Sequence, residues 1–245
     1  KNIKSSENSF NKQKIERLTK ECKMLSGSLP INRGSSVFVR TDDERIDVMK
    51  AIITGPKGTP YGCGCFLFDI FFPPTYPNDP PLVNITTTGN GTVRYNPNLY
   101  SDGKVCLSLL GTWHGDKSSK WNSVSSTLYQ VLVSIQGLIL IEEPYFNEPS
   151  YEAQRNTKEG SLRSKEYNEQ LQYDTIRWAM VDSIKNPPEG FEEVIQNHFL
   201  IDGDDILRQC ERWISEASDT MKPKLKRVVG EFKRALAQLK AKSNQ

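Results

Sequence analysis

The sequence predicts an α+β domain with an N-terminal helix, a four-stranded antiparallel meander, a central helix and extended C-terminal helices. Three observations lead there. Four strand-length runs follow one another through short, turn-rich links, too short for the helical crossovers that parallel strands require. One amphipathic helical pattern precedes them. Helical spacing returns near residue 128 and persists almost to the end of the 245-residue chain.

From Asn11 to Leu25, Ile15, Leu18, Cys22 and Leu25 recur at helical spacing between charges, and Ser26-Gly27-Ser28-Leu29-Pro30 ends the pattern. The strand runs are Ser36–Thr41, Asp47–Thr54, Cys65–Phe72 and Leu82–Thr87. Gly55-Pro56 to Tyr61-Gly62 is turn chemistry, and Cys63 and Cys65, alternating with Gly64 and Phe66, read as strand residues. Pro73-Pro74, Pro77 and Pro80-Pro81 lack ladder donors, so the segment around Tyr76 is an ordered non-strand stretch. Leu128, Val131, Leu132, Ile135, Leu138 and Ile139 define a buried central helix. Beyond Pro223, Leu225, Val228, Val229, Phe232, Leu236 and Leu239 form one stripe opposite a basic face, which packing on the domain explains better than docking a partner. The expected organisation is a disordered tail at 1–10, a core domain at 11–155 and a helical extension at 156–245.

Thirty-two basic against 30 acidic side chains leave a net charge of +2, which does not suggest a nucleic-acid or acidic-lipid binder. No apolar run is long enough to span a membrane. The polar start at Lys1 lacks both a signal-peptide core and an initiator Met, and reads as a fragment of a longer protein. Five scattered cysteines (Cys22, Cys63, Cys65, Cys106, Cys210) argue against a disulfide scaffold and for a reduced, cytoplasmic setting. Neither a metal site nor a cofactor site is expected.

Residues 88–123 lack periodicity, and such a stretch inside a compact domain is usually functional. Within it, Tyr95-Asn96-Pro97-Asn98-Leu99-Tyr100-Ser101-Asp102-Gly103-Lys104-Val105-Cys106 places a cysteine after a turn and before a short apolar run. A thiolate both attacks acyl groups and leaves well, so a cysteine there suits an acyl carrier. A cysteine hydrolase would need His114 beside Cys106, and only their closeness in sequence supports that pair.

This passage resembles the catalytic segment of ubiquitin-conjugating enzymes, in which His-Pro-Asn is followed eight residues later by the catalytic cysteine. Asn98 and Cys106 keep that spacing, while Asn96 stands where the family has a His of mainly structural role. The turn Gly55 to Gly64, the proline-rich Phe72–Pro81, Trp121 and the helix through Val131–Ile135 resemble further family motifs in the same order, over residues 11–155. The resemblance implies that Cys106 carries ubiquitin as a thioester received from the activating enzyme and passes it to lysine amines of protein substrates. It implies that Asn98 stabilises the oxyanion, directly or by holding the loop. It also implies that Tyr100 and the segment Pro144–Pro149, with Asn147 and Glu148, form the gate where the lysine enters. The segments around Cys106, Trp121 and Glu143–Pro149 are most similar to large hybrid conjugating–ligase enzymes that inhibit apoptosis, which implies caspases and their antagonists as substrates.

Departures from the family pattern narrow this reading. Fifteen residues separate Cys106 from Trp121, more than in minimal members, so a polar insert at 111–120 is expected to overhang the site. Asn78 and Asn122-Ser123-Val124 replace the usual contacts for RING ligases. A carrier of another ubiquitin-like modifier, and a non-catalytic ubiquitin-binding variant, stay open as alternatives.

Overall fold

The computed structural model describes residues 12–113, 116 and 118–243. The expected tail at 1–10 and His114 lie outside them.

Helix α1 spans Lys12–Ser28. Its buried face is Lys14, Leu18, Glu21 and Leu25, and Ile15 is 42 % exposed. The helix is thus turned by one residue from the apolar stripe read in the sequence. The cause is a set of buried ionic ties. Glu21 accepts hydrogen bonds from Arg17 (3.0 Å), the Tyr76 hydroxyl (2.7 Å) and the backbone N–H of Leu128 (3.0 Å). Lys14 donates to the carbonyl of Phe72 at 2.8 Å and pairs with Asp47, which also takes Arg45. A charge is tolerated in a core only with such partners. Burial pushes the Asp47 carboxyl up, but Arg45 and Lys14 outweigh it and hold the group below its ordinary value.

Strands β1 (Val37–Thr41), β2 (Val48–Thr54), β3 (Cys65–Phe71) and β4 (Leu82–Ile85) form one antiparallel sheet in the order β1-β2-β3-β4. The register pairs Val37 with Ile53, Val48 with Phe71 and Phe68 with Ile85. β4 stops before the expected Thr87 because the threonine hydroxyl, in place of a backbone carbonyl, accepts from the N–H of Leu67 at 2.9 Å.

Both faces of the sheet are covered, which explains why β2 and β3 read as nearly continuous apolar runs. Met49, Ala51, Ile53, Phe66, Phe68 and Ile70 belong to one core, shared with α1 and the central helix; Ile52 and Cys65 belong to a second. The central helix α2 (Leu128–Ser134) starts at a capping box between Thr127 and Gln130 and continues through a wider-wound turn, Ile135–Ile139. It buries Leu128, Val131, Leu132, Ile135 and Ile139, but Leu138, expected inside, is 63 % exposed. The wider winding moves the register of the last turn.

Short α3 (Pro149–Glu152) leads to α4 (Lys158–Asp174), which runs through a widened segment, Thr175–Asp182, into α5 (Ser183–Lys185). Helices α6 (Glu192–Glu216) and α7 (Lys222–Ser243) follow. They complete the second core, in which the whole expected stripe of α7, from Leu225 to Leu239, is buried. Gly64 lets the widened segment Thr175–Asp182 come close to the sheet, since a Cβ there would come within 2.7 Å of Thr175 and 2.9 Å of Ala179. Cys63 lies in the preceding turn with φ of 63° rather than on a strand, and its carbonyl accepts from His198 Nε2 at 2.9 Å. Among the described residues no helix is long and apolar enough to cross a membrane.

Candidate active site

The segment from Tyr95 to Cys106 folds into a narrow loop closed by its own backbone. Tyr100 and Lys104 face each other across a turn, with Tyr100 N–H on the Lys104 carbonyl at 3.0 Å. Gly103 supplies the positive φ of 96° that this turn needs, and a Cβ there would strike Asn84. Cys106 N–H donates to the Asn98 carbonyl at 2.8 Å.

Asn98 also returns its side chain to the cysteine: Nδ2 donates to the Cys106 carbonyl at 2.9 Å. Residues eight apart are therefore clamped by two hydrogen bonds, one from each partner. The Asn98 Oδ1 is buried without a hydrogen-bond partner among the described residues.

Asn96 is the hub beneath the loop. Its Nδ2 donates to the Ile139 carbonyl (2.8 Å) and the Tyr61 hydroxyl (3.2 Å), while its Oδ1 accepts from Asn98 N–H (2.8 Å) and Asn147 Nδ2 (3.3 Å). The amide thus uses both its donor and acceptor ends, joining the loop to the end of the central helix and to the segment that carries Glu148. Tyr61 in turn donates to the Tyr95 carbonyl at 2.6 Å.

Cys106 is 2 % exposed. The chain turns back beside it after Leu110, because Thr112 Oγ1 donates to the Val105 carbonyl at 2.7 Å and accepts from Leu107 N–H at 3.0 Å. Gly111, at φ of 68°, makes that return possible. The sequence gives no sign of Thr112's role, since it depends on how the chain reverses after Leu110. Trp121, at the far end of the insert, donates Nε1 to the Pro77 carbonyl at 2.8 Å and lies 5.8 Å from the Tyr76 ring. Burial pushes the thiols of Cys63 and Cys210 up to about 11 and about 12, and those of Cys22 and Cys65 up as well. Those four are protonated near neutral pH and poor nucleophiles.

The other expected site residues gather at one edge of this loop. Asn147 donates to the Leu138 carbonyl at 3.1 Å as well as to Asn96, which fixes the short helical turn Pro144–Asn147. Glu148 and Tyr100 meet through a residue not singled out in the sequence, Arg94. Its guanidinium is 4.3 Å from the centroid of the Tyr100 ring, 2.7 Å from the Pro97 carbonyl and 3.9 Å from Glu148 Oε2. Lys104 also lies over Tyr100, at 5.5 Å.

Comparison with known proteins agrees with this architecture. The family model described as ubiquitin-conjugating enzyme matches residues 17–174, and the chain belongs to that family. Among its relatives, the human protein named dual E2 ubiquitin-conjugating enzyme/E3 ubiquitin-protein ligase BIRC6 is 52 % identical over 214 residues, which is 87 % of this chain and 4 % of that protein. Probable ubiquitin-conjugating enzyme protein 17 of Caenorhabditis elegans is 46 % identical over 85 % of the chain and 28 % of its own length. Putative ubiquitin-conjugating enzyme E2 38 of Arabidopsis thaliana is 45 % identical over 81 % of the chain and 59 % of its own length. The chain thus spans only part of each of these relatives.

Proposed function

We propose that Cys106 accepts the C-terminal carboxyl of ubiquitin from the thioester of the activating enzyme and transfers it to substrate lysines. In the first step the Cys106 thiolate attacks the donor thioester carbonyl and the activating enzyme's thiolate leaves. In the second, a neutral lysine amine attacks the Cys106 thioester, an oxyanion forms, and the Cys106 thiolate leaves as the isopeptide bond closes and the amine loses its proton. The observation that carries this reading is the double clamp between Asn98 and Cys106. It holds the Asn98 amide against the residue that carries the thioester; Nδ2 spends one N–H on the Cys106 carbonyl and has a second to offer the oxyanion. The burial of Cys106 shields a thioester from water, and charging requires its cover to part.

Tyr100, Asn147 and Glu148 form the lysine gate: Asn147 anchors the segment, and Tyr100 and Glu148 present an aromatic face and a carboxylate to the amine. In this reading the domain serves a larger polypeptide that selects its own substrates, as the dual conjugating–ligase name of BIRC6 suggests for that relative. Control of apoptosis, through caspases and their antagonists, and a cytoplasmic setting belong to the same proposal.

The test is incubation with activating enzyme, ATP and ubiquitin, followed by electrophoresis without reductant. The expected product is a reductant-sensitive adduct that Cys106→Ala lacks. An adduct with a different ubiquitin-like protein, and none with ubiquitin, would reassign the modifier. No adduct with any of them would sink the carrier reading.

A further inference from the structure

We infer that Arg94 is a resident cation in the acceptor site, occupying the place that an incoming lysine takes as an ammonium before it gives up its proton and attacks. The inference rests on the gate of Tyr100 and Glu148 proposed above. An aromatic face, a carboxylate and a backbone carbonyl make a complete cation site. Arg94 uses all three, through Tyr100 at 4.3 Å, Glu148 at 3.9 Å and the Pro97 carbonyl at 2.7 Å. A protonated lysine side chain, an aliphatic stem with a cationic tip, would find its binding energy in the same three groups.

Arg94 is not built in permanently. It is 44 % exposed, one contact is a full hydrogen bond, and its distance to Glu148 exceeds hydrogen-bond range. It is therefore able to yield to a competing cation. Acceptor lysines then pay for displacing it, because a site open for only part of the time binds with an apparent affinity lowered by that fraction. Discharge onto stray free lysine is suppressed. A substrate lysine delivered by a docked protein arrives at high local concentration and overcomes the occupant.

The experiment is thioester discharge from ubiquitin-charged protein onto increasing concentrations of free lysine, with hydroxylamine as a nucleophile that is uncharged near neutral pH. Arg94→Gln is expected to lower the half-saturating lysine concentration roughly 2- to 5-fold, the factor that loss of one exposed cation–aromatic contact implies. Hydroxylamine discharge should not gain. Arg94→Lys, which keeps a cation in place, should stay closer to the parent than Arg94→Gln. A half-saturating lysine concentration that is unchanged or raised in Arg94→Gln overturns the inference. So does an equal gain with hydroxylamine, which would mean that the loop had merely loosened. Tyr100→Ala and Glu148→Ala are run alongside. If neither alters lysine discharge, the gate reading itself fails; if they do and Arg94→Gln gives no gain, only this inference falls.

Discussion

The loop around Cys106 and the helical extension are held by different physics, although each rests on an apolar core. In the loop, position is set by hydrogen bonds: Asn96 alone joins Ile139, Tyr61, Asn98 and Asn147, and Asn98 and Cys106 clamp each other twice. On the helical side, α6 and α7 close a core of Phe191, Ile195, Phe199, Phe232 and Leu236, in which Phe199 and Phe232 meet edge to face at 5.8 Å. Apolar burial is strong but directionless, whereas a hydrogen bond is weak in net terms and specific in direction. The two apolar cores should therefore supply stability, and the hydrogen bonds of the loop its geometry.

Four substitutions test that division, in decreasing order of expected effect. Phe232→Ala should cost about 3–5 kcal/mol in chemical denaturation, because it opens a cavity in the second core. Asn98→Ala should still charge with ubiquitin but discharge to lysine roughly 100- to 1000-fold more slowly in a single-turnover chase. An equal discharge rate would remove Asn98 from the mechanism. Asn96→Leu should cost about 1–3 kcal/mol by leaving the Ile139 carbonyl and the Asn98 N–H unmatched, and should slow discharge in parallel. Thr112→Val should lower unfolding free energy by about 0.5–1.5 kcal/mol, the usual worth of one such hydrogen bond. If Asn96→Leu lost stability alone, or Phe232→Ala slowed discharge while folded, the division of labour would be wrong.

The sequence disclosed most of the elements, because strand runs and helix stripes are periodic and periodicity survives folding. Its errors fall where polar groups override the apolar pattern. The apolar spacing puts Ile15 inside, but Lys14 and Glu21 take the buried face because each finds partners from distant segments, Phe72 and Asp47 for one and Tyr76 and Leu128 for the other. A constant helical pitch puts Leu138 inside, whereas the last turn of the central helix is wider. Cys106 and Asn98 were legible through a motif and its spacing, and the structure brings them into contact. Arg94 was not legible, since a lone arginine before Tyr95 has no pattern; its meaning comes from Tyr100 and Glu148, the latter more than fifty residues away.

The most direct test of the central claim is the chemistry of the bond that ubiquitin makes at residue 106. Wild-type protein and Cys106→Ser are charged side by side, and each adduct is treated with thiol reductant or with hydroxide. The account predicts that the wild-type adduct is cleaved by reductant, whereas any serine adduct is an oxygen ester that resists reductant and yields to hydroxide. A wild-type adduct that survives reductant, or one that persists in Cys106→Ala, would contradict a thioester on Cys106.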